Sequence, residues 1–84
     1  MRVRVSSPKE MIFCGDADAV RLRTTGGDVR ILKHHIPYLA EIGEGMLEIH
    51  RNGESMLSGK TSSGIVYNHK NEISIILFEP YSIG

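Results

Sequence analysis

The stretch that decides the fold runs from Gly26 to Leu39 and reads GGDVRILKHHIPYL. Glycine reaches positive φ without a Cβ clash, so Gly26-Gly27-Asp28 predicts a tight hairpin turn. A short apolar strand follows, and then come two adjacent histidines and Pro37. Because proline fixes its own φ and biases the preceding residue toward extended geometry, the segment is expected to stay extended rather than to continue as a helix.

The residues before this turn alternate with a period of two. Val20, Leu22 and Thr24 alternate with Arg21 and Arg23. Successive side chains of a strand point to opposite faces, so this pattern predicts one apolar face and one arginine face. The arginine face is most simply the polar side of a sheet.

The same pattern recurs along the chain. Predicted strands lie at residues 2–5, 11–13, 19–25, 29–32, 46–50, 55–57, 65–67 and 73–78, and residues 38–42 fit either a buried strand or one helical turn. Asn52-Gly53 is the clearest two-residue hairpin turn, and residues 58–60, 62–64 and 68–71 are expected to be turns as well. The sequence therefore predicts one all-β domain over residues 1–84, an antiparallel β-sandwich of about eight to ten short strands.

Composition excludes several classes of protein. Ten basic and ten acidic residues cancel, and the few aromatic residues do not interleave with the arginines, so nucleic-acid binding is not expected. The longest apolar run, at residues 75–78, is too short to cross a bilayer, and the N-terminus does not resemble a signal peptide. Cys14 is the only cysteine, which fits a reducing compartment.

His34 and His35, with Glu41 downstream, are loosely similar to the metal motif of cupins. Adjacent strand residues point to opposite faces, so the two imidazoles cannot both face one metal. We therefore expect no metal site here, and a surface or interface role for the pair.

Two other patterns are expected to carry no chemistry. Ser58-Gly59-Lys60-Thr61 contains the last letters of a phosphate loop, but the upstream glycine is missing and no helix pattern follows. Cys14 follows an apolar strand, which predicts a buried, inert thiol, whereas Asp16 and Asp18 are expected to be solvated charges. No catalytic constellation is recognisable, so the sequence predicts a non-enzyme without a cofactor.

A longer pattern points to a family. Residues 7–15 read SPKEMIFCG, residues 27–39 read GDVRILKHHIPYL, and residues 44–49 read EGMLEI. With SSGI at residues 62–65 and the final apolar strand, this series resembles the N-terminal β-sandwich of the epsilon subunit of F-type ATP synthases. The resemblance covers nearly the whole chain and is most specific before Asn52. Three residues depart from the family pattern: Arg30 replaces a glycine, Lys33 a proline and His34 a glycine.

The resemblance implies a role without chemistry of its own. In this family the domain couples the gamma shaft to the ring of membrane c subunits during ATP synthesis driven by proton or sodium transport. It would do so as a peripheral rotor subunit on the cytoplasmic side of an energy-transducing membrane. By position in the family motif, Gly27, Asp28, Arg30 and Lys33 would contact the c-ring. The gamma subunit would be contacted by Ser7, His35, Pro37, Leu39 and Ala40.

One alternative belongs to another class. A stand-alone β-sandwich adaptor could share the fold and bind a different protein, and the departures at Arg30, Lys33 and His34 favour it. A metal-dependent, cupin-like enzyme is the third reading, and added zinc, iron or nickel would have to raise its melting temperature.

The family's C-terminal helical hairpin, which inhibits ATP hydrolysis and in some members binds ATP, has no counterpart before Gly84. We therefore expect the 84-residue chain to couple rotation without hairpin-mediated inhibition and not to bind ATP. Calorimetric titration with ATP should give no binding heat, and binding at micromolar affinity would contradict this expectation.

Overall fold

The computed structural model describes residues 1–33 and 37–84, and every regular element in these ranges is a β-strand. The prediction of an all-β protein is thereby confirmed. The ten strands are β1 (Arg2–Ser6), β2 (Met11–Asp16), β3 (Ala19–Thr24), β4 (Gly27–Leu32), β5 (Tyr38–Ile42), β6 (Gly45–Arg51), β7 (Glu54–Thr61), β8 (Ser63–His69), β9 (Glu72–Phe78) and β10 (Ser82–Ile83).

The strands form one continuous, curled sheet. Their order is β10-β7-β6-β3-β5-β8-β9-β1-β2, and β4 pairs with β3 beside this path. Nine strands laid flat would span about 40 Å at the usual spacing between strands. The longest extent of the molecule is only 29 Å. The sheet must therefore fold over on itself, which gives the two packed layers of a β-sandwich.

One pairing differs from the antiparallel pattern. β1 lies between β2 and β9, and it runs parallel to β9 with Val3 opposite Ile73 and Val5 opposite Ile75. The other described strand pairs are antiparallel. Apolar alternation fixes which face of a strand is buried but not its direction, so the parallel pair was not foreseeable from the sequence.

The inward-facing residues of both layers form one hydrophobic core. Burying one aliphatic side chain of this size contributes about 1.5–3 kcal/mol, so these residues dominate the stability of the domain. The side chains that are fully buried are Val3, Val5, Val20, Leu22, Ile31, Leu47, Ile49, Val66, Ile73, Ile75 and Leu77.

The hairpin predictions hold with small shifts. β3 pairs with β4 as far as Thr24 opposite Gly27, so the predicted turn at Gly26 is confirmed. The Asn52-Gly53 turn is confirmed too, because both residues have positive φ, 52° and 80°. The predicted turn at residues 68–71 is shorter, since β8 continues through His69.

The C-terminal part of the sheet differs from the prediction in three places. Residues 58–60, expected to be a turn, lie inside β7, and β10 was not predicted. The turn expected at residues 62–64 is shorter, because β8 begins at Ser63. A Cβ atom on Gly59 would collide with the backbone of Ser82 and Ile83 in β10. This glycine therefore permits close strand approach, and the lysine and threonine after it belong to a strand rather than to a phosphate loop.

The prediction of a buried thiol at Cys14 is wrong. The side chain is exposed, and the Arg2 guanidinium donates a hydrogen bond to its Sγ at 3.3 Å. Phe13, the preceding residue, packs against the core. Because β2 alternates, Cys14 must face outward.

Two adjacent isoleucines in β9 should respond differently to truncation. Ile75 is fully buried and Ile76 is 40% exposed. We expect Ile75→Ala to lower the free energy of unfolding by about 2–5 kcal/mol and Ile76→Ala by about 1 kcal/mol or less. Urea denaturation measures both values. Equal losses would contradict the assignment of the two faces.

Candidate partner-binding surfaces

The tip of the β3–β4 hairpin is a compact polar loop. The Thr24 hydroxyl donates to the Gly27 carbonyl at 2.8 Å and accepts from the Gly26 N–H at 3.2 Å. Gly27 has a φ of 118°, a conformation that glycine adopts without strain. Beside it, Asp28 forms an ion pair with Arg23 at 3.4 Å. The tip is therefore held by its own hydrogen bonds.

The four residues predicted to contact the c-ring do not all lie at the β3–β4 tip. Gly27 and Asp28 lie at the tip, and Arg30 lies two cross-strand rows beyond Asp28 along β4. Lys33 follows the far end of this strand, about 20 Å from the tip at the usual rise per residue. Asp28, Arg30 and Lys33 are all exposed. One flat contact at the tip would include the first two residues but not Lys33.

Ser7, predicted to contact the gamma subunit, is a turn residue between β1 and β2. Its hydroxyl accepts hydrogen bonds from the backbone N–H groups of Lys9 and Glu10, both at 3.2 Å. Lys9 in turn pairs with Glu79 at 2.9 Å. This turn is thus fastened to the segment that follows β9, and Ser7 shapes it.

Five exposed apolar residues lie on the outside of β5, β8 and β9, where Glu41 is the exposed charged neighbour opposite Ile65. Leu39 is 69% exposed and lies opposite Tyr67, while Ile65 lies opposite Ile76. Phe78 lies two residues beyond Ile76 on the same side of β9. We call these five exposed residues the apolar face. A surface of this kind on a soluble domain typically marks a contact with another molecule.

The apolar face continues toward the edge of the sheet. Ser6 of β1 lies opposite both Ile76 and Met11, and Met11 on β2 is half exposed. At the other end, the Tyr67 ring stacks on the His69 ring, with 5.9 Å between centroids. Exposed apolar residues thus occur from β5 to β2, with the polar residues Ser6 and Ser74 between them.

The other predicted gamma contacts differ in their position relative to the apolar face. Pro37 is exposed just before β5, so it adjoins Leu39. Ala40 points to the other side of β5 and packs against the core. His35 lies outside the described residues, as do His34 and Ile36. The sequence analysis named Leu39 as a gamma contact but did not name the other four residues of the apolar face, which are exposed beside it: Ile65, Tyr67, Ile76 and Phe78.

The outer side of β3 and its neighbours carries charged pairs. Arg21 of β3 lies opposite Glu48 of β6, and their charged groups are 4.0 Å apart. Arg23 of the same strand pairs with Asp28. The prediction that Arg21 and Arg23 form the polar side of a sheet is therefore confirmed, although the adjoining strands β6 and β7 also expose Met46 and Met56.

Two ion pairs perturb the ionisable groups that they join. A hydrogen bond from the N-terminal ammonium, 3.1 Å away, and the positive charge of that group lower the pKa of Asp16 below its usual 3.8. A hydrogen bond to Glu79 and the negative charge of that carboxylate raise the pKa of Lys9 above its usual 10.5. Asp16 and Asp18 are both exposed, as predicted for solvated charges.

Within residues 1–33 and 37–84, no three His, Cys, Asp or Glu side chains cluster as metal ligands would. The same ranges contain no helix of the length and apolarity needed to cross a membrane.

The fold and these surfaces define a small β-sandwich module whose distinctive exposed features are the apolar face and the polar β3–β4 tip. Residues 1–79 match the family described as ATP synthase, delta/epsilon chain, β-sandwich domain. The chain belongs to this family, as the sequence motifs predicted.

Curated relatives carry the name ATP synthase epsilon chain. The protein from Ruminococcus albus is 37% identical over 76 residues, which is 90% of this chain and 56% of that protein. The protein from Frankia casuarinae is 32% identical over 76 residues, or 90% of this chain and 89% of that protein. The chain thus spans little more than half of the first relative and most of the second.

Solved structures share the fold. A chain of the Euglena gracilis mitochondrial ATP synthase (OSCP/F1/c-ring) superposes with a TM-score of 0.84 at 19% identity, covering 96% of this chain and 51% of that one. A chain of the Tetrahymena thermophila mitochondrial ATP synthase (central stalk/c-ring) gives 0.79 at 18% identity, covering 93% and 63%. At these identities the likeness shows the fold.

The Asp16 ion pair predicts a pH-dependent contribution to stability. A carboxyl group whose pKa is depressed on folding stabilises the protein above its unfolded pKa, and this stabilisation is lost as the pH falls through the folded value. Asp16→Asn should therefore lower stability at neutral pH, and the difference from wild type should shrink below pH 3.8. Urea denaturation at several pH values measures this. Asp28→Asn, which removes a carboxylate from the exposed ion pair with Arg23, is the control. If the stability difference between Asp16→Asn and wild type does not change with pH, the ion pair with the N-terminal ammonium is contradicted.

Proposed function

We propose that the chain is a non-catalytic central-stalk subunit of an F-type ATP synthase, which couples the gamma shaft to the c-ring. The observation that carries the proposal is an exposed apolar face on a domain of the ATP synthase delta/epsilon family. The proposal places the protein on the cytoplasmic side of an energy-transducing membrane, as a peripheral subunit of a proton- or sodium-driven complex.

The apolar face is the surface proposed to bind gamma. Side chains such as Leu39 and Phe78 contribute little to the folding stability of the free domain, because they remain in contact with water. Covering them with a partner removes apolar surface from water, which stabilises the complex by about 25 cal/mol per Å² before the costs of association. Pro37 and Ser7, at the margins of the face, are proposed as rim contacts. His35 is proposed as a gamma contact from its position in the family motif alone.

Ala40 is proposed to act differently from its neighbour Leu39. It packs against the core from β5, so it would support the interface from behind. A bulky residue there would displace the strand that carries Leu39, and binding would weaken indirectly.

The β3–β4 tip is the surface proposed to meet the polar loops of the c-ring. Hydrogen bonds to Thr24 hold Gly26 and Gly27 before any partner arrives, and an ion pair with Arg23 holds Asp28, so little conformational entropy is lost on contact. Arg30 and Lys33 would extend this contact along β4. Exposed ion pairs contribute only about 0–1 kcal/mol each, so gamma is expected to supply most of the affinity.

A packed sandwich suits transmission of torque. Interiors at crystal-like packing density deform little under load, and the two proposed surfaces lie on one continuous sheet. Force applied at the hairpin would therefore reach the apolar face without a hinge between them.

Replacing one residue of the apolar face should weaken the complex with gamma. We expect wild-type chain and a gamma subunit from the same source to co-elute as a one-to-one complex in size-exclusion chromatography. Leu39→Asp, which buries a charge in the interface, should weaken binding by about 10- to 100-fold. Titration by calorimetry gives the two dissociation constants.

Met56→Asp is the matched control. Met56 is also an exposed apolar strand residue, but it lies on β7, away from β5, β8 and β9. This variant should bind gamma as wild type does. Equal losses for both variants would contradict an interface on the apolar face, and no complex for wild type would favour the adaptor alternative.

A further inference from the structure

A groove formed by β3, β4 and β6 is lined by two arginines on neighbouring strands. Arg21 of β3 and Arg30 of β4 are direct cross-strand partners, and both line a cavity of about 560 Å³ with Asp18, Glu48 and His50. Like charges in directly opposed positions destabilise a sheet. The free domain therefore carries an electrostatic cost at this row.

Both carboxylates of the groove already have partners, and one of these partners is Arg21 itself. Glu48 lies 4.0 Å from Arg21, and an Asp18 carboxylate oxygen accepts the Asn52 N–H at 2.6 Å. Among the described residues, no carboxylate lies within ion-pair distance of Arg30. The groove thus contains one guanidinium whose positive charge is not compensated.

We propose that Arg21 and Arg30 form a binding site for an oxyanion, a phosphate or a carboxylate. A guanidinium presents N–H donors in a planar fork that matches two oxygens of either group. An anion between the two arginines would replace their repulsion by two charge-assisted contacts, and His50 offers a further donor on the same wall. The site does not depend on the proposed rotor function, because isolated chain and simple anions suffice to test it.

Thermal unfolding in sodium phosphate, sodium acetate and sodium chloride at equal ionic strength tests the site. Phosphate, acetate or both should raise the melting temperature of wild type by about 4 °C or more relative to chloride, since a ligand that binds only the folded state stabilises it. A response to acetate identifies a carboxylate, such as a partner's acidic side chain, as a sufficient ligand. A response to phosphate alone identifies a phosphate group.

Arg30→Gln should separate the repulsion between the two arginines from the stabilisation by a bound anion. This variant should be more stable than wild type in dilute chloride, because the opposed charges are gone, and it should lose the anion-specific increase. Arg4→Gln is the matched control: Arg4 is exposed on β1 and lies opposite Cys14 and Ser74 rather than a second arginine. It should keep the increase.

Chemical shifts of the arginine Nε–H groups provide a test on wild type that needs no variant. Addition of the active anion should shift the Arg21 and Arg30 signals with one saturating dissociation constant and leave Arg4 unchanged. Phosphate and sulfate also stabilise proteins generally by exclusion from their surface. Equal increases in wild type and Arg30→Gln, or unsaturated shifts of all arginines alike, would overturn the proposal.

Discussion

The structure depends on one constraint: residues 65–67 of β8 and 75–78 of β9 are unbroken apolar runs, whereas the sheet has a core on only one side. Val66, Ile75 and Leu77 fill that core, while Ile65, Ile76 and Phe78 alternate with them and face outward. Strands that read as continuous apolar runs are typical of sheets covered on both sides. The outward apolar side chains of these two runs are therefore the physical basis of the proposed contact with gamma.

The apolar face and the β3–β4 hairpin suit two different kinds of contact. The apolar face offers area that can leave water, and so it suits a lasting attachment. The β3–β4 hairpin offers fixed polar groups with little apolar surface, and so it suits a contact whose energy is small. Family membership over residues 1–79 and this asymmetry support the same account, because a rotor element must hold its shaft firmly and carry load at a second point.

Much of the fold follows from local signals. Alternation placed Val20 and Leu22 inside and Arg21 and Arg23 outside, and Asn52-Gly53 fixed a hairpin. Long-range partners are not encoded locally, so the parallel pairing of β1 with β9 and the short β10 were missed. The burial of Cys14 is predicted wrongly, because a position directly after an apolar run does not determine which face of the strand the residue occupies. Its exposure follows once Phe13 occupies the inner position. The apolar face had a signal in the unbroken run at residues 75–78, but recognising it required knowing that only one side of β9 meets the core.

The most direct test of the account is the accessibility of isoleucine methyl groups in the complex with gamma. A soluble paramagnetic agent broadens methyl signals in proportion to their exposure, and Ile75 provides a buried reference next to Ile76 in β9. In the free domain, Ile65 and Ile76 should be strongly broadened and Ile75 should not. On addition of gamma, the account predicts that Ile65 and Ile76 become protected to nearly the level of Ile75. A stable complex in which both methyl groups remain as accessible as in the free domain would contradict it.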